Sequence, residues 1–198
     1  MNGGATTLGL LAGGRATRLG GLDKAWLQRG GVPQVLRLAA RVSDEVDAVL
    51  VSANRELERY AEHALAAVPD RRTDLGPLGG LDALAQACAT PWLLTLPVDL
   101  VSVNDCLLRS LRAAGEAGAW AEDDDGRQPL VALWDVAGLR RALPASLDSG
   151  DLSVRTLQSR LHMRGVRFAG LRFGNLNTPD DLAAAGFTTG GPGPLGVG

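Results

Sequence analysis

A three-layer α/β/α domain around a mostly parallel central sheet is the fold class this sequence predicts, and two observations carry it. Short apolar runs alternate with stripes of apolar residues at helical spacing, the pattern of βα units whose strands lie side by side. Three of the loops that leave those runs are rich in glycine or end on an aspartate, as expected where ligands sit at the carboxyl ends of parallel strands. The 198 residues suffice for one ordinary domain with a substantial core.

The first run, Thr7 to Ala12, ends in Gly13-Gly14; Val35, Leu38, Ala39 and Val42 then repeat at helical spacing, and Ala48 to Val51 completes a βαβ unit. Leu57, Tyr60, Ala61, Ala64, Leu65 and Val68 read as one further helical stripe. After Pro77 a helix of small residues, Gly80 to Ala89, leads to a strand at Trp92 to Leu96. Asn104 to Ala114 reads as a helix, Pro129 to Trp134 as a strand after the turn-forming Glu122 to Gly126, and Leu152 to Leu161 as a helix. Thr178 is a good N-cap, Pro179 suits the first helical position, Asp181 can reach back to the cap, and Gly186 can end that helix. The stretch TTGGPGPLGVG has almost no core material, which divides the chain into a domain over 1–187 and a flexible Gly/Pro-rich tail over 188–198.

Composition excludes several classes. With 20 Lys+Arg against 22 Asp+Glu the formal charge is −2, so no strong field attracts nucleic acid or anionic lipid. No apolar run approaches the length of a bilayer span, and the first residues lack the basic start and apolar stretch of a secretory signal, so a cytoplasmic protein is expected. Cys88 and Cys106 form no CxxC pair, and Cys88 falls where a small buried thiol is expected. His63 and His162 have no metal-ligand neighbour at helical spacing, which leaves little material for a zinc site or a histidine-based dyad. The cations are uneven: all are arginine except Lys24, which closes a glycine-rich segment, Leu11 to Lys24. A compact ammonium there can do what a planar guanidinium cannot.

Three loops carry chemistry. LAGGRATRLGGLDK, Leu11 to Lys24, offers Gly13, Gly14, Gly20 and Gly21, whose backbone N–H groups can approach an anion closely, with Arg15, Arg18 and Lys24 supplying full charges. It is neither a Walker A loop nor GxGxxG, which counts against P-loop NTPases and dinucleotide-binding oxidoreductases. GPLGG, Gly76 to Gly80, is the second loop. The third, LPVDL, delivers Asp99 at a strand end, where magnesium and a triphosphate can meet a carboxylate.

On these residues the chain resembles molybdenum cofactor guanylyltransferase, also called molybdopterin-guanine dinucleotide synthase. LAGGRATRLGGLDK is similar to that family's LAGGxxxRMGxxDK, SANR at Ser52 to Arg55 to its second strand end, GPLGG to GPLAG, LPVD to its metal-binding strand end, and NLNTPDDL at Asn175 to Leu182 to NxNTPxxL. The resemblance runs from about Leu8 to Leu182, with Ser52 where asparagine is more usual, Val98 where cysteine often stands, and no arginine pair between Gly150 and Arg155.

The resemblance implies a Rossmann-like nucleotidyltransferase domain. Its reaction would transfer GMP from Mg-GTP to the phosphate of molybdenum-molybdopterin and release pyrophosphate. Carried over by position, Leu11, Ala12, Gly13, Lys24, Asp70 and Asp99 would bind GTP, joined by Gly14, Ser52, Asn54, Gly76 and Gly80, with Asp99 also holding Mg2+. Asp70 is preferred over Asp74 because it directly follows a short apolar stretch. Arg18, Asn175 and Asn177 would form the acceptor pocket, and Arg18, Lys24 and Asp99 would carry catalysis. The expected partners are GTP, the molybdenum-molybdopterin acceptor and, transiently, cofactor-delivery proteins or apo-molybdoenzymes, for a monomer or weak oligomer. A cytidylyltransferase on the same cofactor and a non-catalytic nucleotide-binding module are the alternatives.

Overall fold

The computed structural model describes residues 4–13 and 23–189. A seven-stranded sheet is built from β1 (Thr6–Leu11), β4 (Ala48–Ser52), β5 (Ala66–Val68), β6 (Trp92–Pro97), β7 (Gly118–Asp123), β8 (Gly126–Asp135) and β9 (Arg164–Arg167), in the order β5-β4-β1-β6-β8-β7-β9. β1 pairs in parallel with both β4 and β6, β4 with β5, and β7 with β9. β8 is antiparallel to both β6 and β7, so it alone runs against the others. A small second sheet joins β2 (Leu27–Arg29), β3 (Val32–Pro33) and β10 (Thr188–Thr189).

Helices cover both faces. On one, α1 (Gln34–Arg41), α2 (Leu57–Glu62) and α4 (Leu107–Ala113) send Val35, Leu38, Tyr60, Leu107 and Leu111 into a core with Leu8, Leu10, Leu94 and Leu96. On the other, α3 (Pro77–Ala87), α5 (Val136–Ser149) and α6 (Val154–Arg160) bury Leu78, Leu81, Leu84, Leu139 and Leu157 around Leu93 and Trp134. β1 is buried throughout, which explains why it shows no apolar–polar alternation of the kind a half-exposed strand has. The last helix, α7 (Pro179–Ala184), opens with the capping box expected at Thr178 and Asp181. Among the described residues, no helix is long and apolar enough to cross a membrane.

The architecture is the three-layer α/β/α fold expected, with local corrections. The apolar stripe from Leu57 to Val68 is not one helix: α2 stops at Glu62, Ala64 takes a positive φ of 56°, and residues 66–68 form strand β5. Once the chain has turned at Ala64, sheet pairing to β4 overrides the helical spacing. Thr188 and Thr189 pair with β2, two residues past the boundary expected from composition, and the remainder of that stretch lies outside the described residues.

The chain order reverses at β1. β4 and β5 lie on one side of it and β6 on the other, the strand order at which a crevice opens at the carboxyl ends of the strands.

Candidate functional site

That crevice is a cleft of about 190 Å3. The end of β1 gives it Leu11, Ala12 and Gly13, the end of β4 gives Ser52, and the turn after β6 gives Pro97, Val98 and Asp99. Asp23 and Lys24 close one side; Asp70, Gly76, Pro77 and Gly80 close the other, and Leu130 of β8 completes the lining. Nine of the residues singled out in the sequence, Leu11, Ala12, Gly13, Lys24, Ser52, Asp70, Gly76, Gly80 and Asp99, therefore converge on one surface. Gly14 and Arg18, with Arg15, Gly20 and Gly21, lie outside the described residues. Asp74 is not part of this lining.

The strand ends are stitched together by backbone bonds. The Ala12 N–H donates to the Ser52 carbonyl at 2.9 Å, and the Val98 N–H to the Leu11 carbonyl at 3.1 Å. GPLGG needs its glycines for separate reasons. Gly76 takes φ 54°, ψ −143°, a conformation open in practice to glycine alone. A Cβ on Gly80 would stand 2.6 Å from Ser52 Oγ, and one on Gly79 would stand 3.1 Å from Asp70 Oδ2. The missing side chains let the first turn of α3 press against β4, so its N–H groups and the positive end of its dipole border the cleft, where an anion is favoured.

Asp70 is held from two sides. Asn54 Nδ2 donates to Asp70 Oδ2 at 2.9 Å, while Asn54 Oδ1 accepts from the Asp70 N–H at 2.8 Å. Ser52 Oγ lies 3.4 Å from Asp70 Oδ1. Asn54 is thus a brace behind the carboxylate and does not itself line the cleft.

Across the cleft, Lys24 Nζ lies 3.2 Å from Asp99 Oδ2 and donates to Asn177 Oδ1 at 2.8 Å. The residues meeting there are 75 and 153 positions apart in the chain. The segment holding Asn177 is docked beside Asp99, since the Leu176 N–H donates to the Asp99 carbonyl at 2.8 Å and Asn175 bridges to Leu100. Asn175 lies on that docked segment and not in the cleft lining. Neither histidine lines the cleft.

Sequence patterns did not reveal three neighbours of this site. Asp23 caps the short turn Lys24–Trp26 by accepting from the Ala25 N–H at 2.9 Å, and burial raises its carboxyl pKa against that bond, with Glu56 adding repulsion. Burial likewise pushes the Tyr60 hydroxyl up, with Asp23 and Glu56 adding to it. Gln34, fully buried at the start of α1, reaches the turn that carries Asp99. A capping aspartate and a polar residue opening a helix look generic in sequence, so only the LDK tripeptide could have pointed to Asp23.

Among the described residues, no group of three His, Cys, Asp or Glu side chains is placed to hold a metal ion by itself. Three carboxylates line the cleft; Asp23 caps Ala25 and Asp70 is braced by Asn54, while Asp99 meets Lys24 beside anion-binding groups. That donor set fits Mg2+, which commonly takes one or two protein carboxylates and completes its shell with substrate phosphates and water.

The chain matches the MobA-like NTP transferase domain over residues 9–164. The molybdenum cofactor guanylyltransferase of Pseudomonas paraeruginosa is 37% identical over 181 residues, covering 88% of this chain and 91% of its own. That of Cupriavidus taiwanensis is 34% identical over 186 residues, covering 88% and 93%. Of solved structures, molybdopterin-guanine dinucleotide biosynthesis protein A from Archaeoglobus fulgidus superposes with a TM-score of 0.69 at 20% identity, covering 91% of this chain and 96% of its own. The 2-C-methyl-D-erythritol 4-phosphate cytidylyltransferase of Thermus thermophilus gives 0.64 at 17% identity, covering 89% and 95%. At those identities the two structures speak for the fold alone.

Proposed function

The chain belongs to the molybdenum cofactor guanylyltransferase family of MobA-like nucleotidyltransferases, and from that premise we propose that it transfers GMP from Mg-GTP to the phosphate of molybdenum-molybdopterin. The observation that carries this reading is the meeting of the chain's one lysine with Asp99 and Asn177 in a cleft bordered by the first turn of α3. Lys24 is the cation for the triphosphate, Asp99 the carboxylate for Mg2+, and Asn177 the group that orients the ammonium between them.

In this reaction an oxygen of the acceptor phosphate forms a bond to the α-phosphorus of GTP. The bond from that phosphorus to the bridging oxygen breaks, and its electron pair leaves on pyrophosphate. A phosphate monoester with a second pKa of about 6 is largely a dianion at neutral pH, so no side chain has to remove a proton. This agrees with a cleft lined by no histidine. Catalysis then rests on alignment and on screening of two anions. Lys24 and Arg18 bring positive charge, and the N–H groups of the glycine loop and of α3 hold the phosphates. Mg2+ bound with the nucleotide would supply further charge neutralisation on the phosphates, held by Asp99.

Guanine recognition falls to Asp70, with Ser52 and Asn54 bracing it. A carboxylate only accepts hydrogen bonds, and guanine presents two adjacent donors, N1–H and the 2-amino group. Cytosine sets an acceptor beside its amino group, which would leave buried polar groups unpaired at a cost of about 1–3 kcal/mol. The acceptor lies on the side of Arg18, Asn175 and Asn177. The enzyme works in the cytoplasm as a monomer or weak oligomer, away from membranes and nucleic acid, and meets cofactor-delivery proteins or apo-molybdoenzymes transiently.

The test is a thermal-shift panel with GTP, CTP, ATP and UTP, each with and without Mg2+. GTP with Mg2+ should give the largest stabilisation. An equal or larger shift with CTP would reassign the protein to cytidylyl transfer, and no nucleotide response would leave an inert module.

A further inference from the structure

Asp99 stands on a turn whose backbone carbonyls are all occupied. The Pro97 carbonyl accepts from the Leu100 N–H at 3.4 Å and the Asp99 carbonyl from the Leu176 N–H at 2.8 Å. The remaining two, on Val98 and Leu100, accept from one side chain: Gln34 Nε2 donates to them at 3.1 Å and 2.5 Å. Gln34 is 0% exposed and begins a helix whose other buried side chains are Val35 and Leu38. Its Oε1 accepts from Arg37 Nη1 at 2.6 Å, which fixes the amide with both N–H donors toward the turn. A buried amide is costly unless its hydrogen bonds are made, and here both donors are committed to the residues on either side of Asp99, one of three aspartates in the cleft lining.

We propose that Gln34 is a positioning residue for the Mg-nucleotide: by holding the carbonyls of Val98 and Leu100, it fixes the Asp99 carboxylate where it meets a magnesium ion carried by the triphosphate. This rests on the Mg-GTP reading above. Mg2+ demands nearly ideal octahedral geometry and tolerates little displacement of a ligand. Lys24, the proposed phosphate cation, bonds Asp99 and Asn177 and not Gln34. Loss of Gln34 therefore separates metal affinity from nucleotide affinity, which general loosening of the fold would not do.

The experiment measures GTP binding without metal by calorimetry, and Mn2+ binding to the protein–GTP complex by electron paramagnetic resonance. Wild type, Gln34→Met and Arg37→Met are compared, with folding checked by circular dichroism. Gln34→Met keeps the volume and loses both donors. Arg37→Met keeps the glutamine and frees its amide to turn. Wild type comes first: if its GTP complex binds no Mn2+, the Mg-GTP reading fails and the proposal falls with it. If wild type binds the ion, Gln34→Met should weaken Mn2+ binding by about tenfold or more, the effect typical of losing a group that orients a metal ligand. Its metal-free GTP affinity should stay within about threefold of wild type, and Arg37→Met should show the same pattern at smaller size. Unchanged Mn2+ affinity in a folded Gln34→Met protein, or equal loss of Mn2+ and GTP affinity, overturns the proposal. Should Gln34→Met fail to fold, the same two criteria applied to Arg37→Met decide.

Discussion

Replacing Lys24 by arginine keeps the charge in the cleft and changes only its shape. The ammonium is 2.8 Å from Asn177 Oδ1 and 3.2 Å from Asp99 Oδ2, on a side chain 18% exposed. A guanidinium can still pair with Asp99, so stability changes by no more than a partly exposed ion pair is worth, about 1 kcal/mol. For a domain of this size that shifts Tm by only about 2–4 °C. The geometry is another matter. A planar fork prefers two parallel bonds to one carboxylate or phosphate, whereas an ammonium spreads three donors in different directions. Here it already meets Asp99 and Asn177, and in the proposed reaction it serves the incoming phosphates as well. Misplacement by about 1 Å can cost about 10²-fold in rate, and that is the expected fall in turnover for Lys24→Arg, read as pyrophosphate release in steady state beside the melting curve of the nucleotide-free protein. Lys24→Met serves as comparison and should lose both turnover and the ion pair's share of Tm. Turnover by Lys24→Arg within about threefold of wild type would show that position 24 supplies charge alone, and the argument from ammonium shape would be refuted.

Asp99→Asn retains an oxygen that Lys24 can reach, so the protein should fold normally, yet guanylyl transfer should fall by on the order of 10²–10³-fold, the size seen when one electrostatic contact in a reacting site is lost; unchanged transfer would remove Asp99 from the reaction. Deletion of residues 190–198, which have almost no core-forming material, should leave Tm and turnover unaltered, while deletion from Thr188 onward removes β10 from the small sheet and should lower Tm. Asp123 tests pH dependence. Burial opposes its charge, but bonds from the Phe173 N–H, Gln128 and the Asp125 N–H prevail and hold the carboxyl below its usual value of 3.8. A carboxyl depressed by folding stabilises the protein above its unfolded pKa, and that contribution drains away as pH falls below 3.8 through the folded value. Asp123→Asn should therefore destabilise the protein by about 1–3 kcal/mol at neutral pH and flatten the acid limb of a denaturation series; an unchanged acid limb would show that Asp123 is not the group responsible.

Much of the fold was legible because β1 and β6 are buried on both faces and β4 at its carboxyl end. All three appear as apolar runs, and the helices between them as periodic stripes. What stayed hidden is where tertiary pairing decides. β5 is three residues long and continues the spacing of α2, so only its pairing with β4 distinguishes it from helix. α5 carries Pro144 inside it, which in sequence reads as a break. β7 sets small residues on both sides of Trp120 and ends on Glu122 and Asp123, too little apolar content to announce a strand.

The same physics decides which parts of the cleft a sequence displays. A loop that must approach phosphate needs glycines and cations close together in the chain, so Gly13, Lys24 and the GPLGG segment stand out against any background. Asp99 stands out because it is the one charge that interrupts the apolar stretch from Trp92 to Val101. The groups that make those residues exact in position act across long separations and through ordinary side chains. Asn54 reaches Asp70 over 16 positions, Gln34 reaches the Asp99 turn over 64, and Asn177 reaches Lys24 over 153. Gln34 has no local mark at all: it sits where an apolar residue would fit the stripe of α1, and its reason for being polar lies in two carbonyls on another segment. A polar residue buried on an apolar helix face is therefore the feature most worth tracing in a fold of this kind. The cost of burying it must be met by a partner, and here the partner is the turn on which the reaction is proposed to depend.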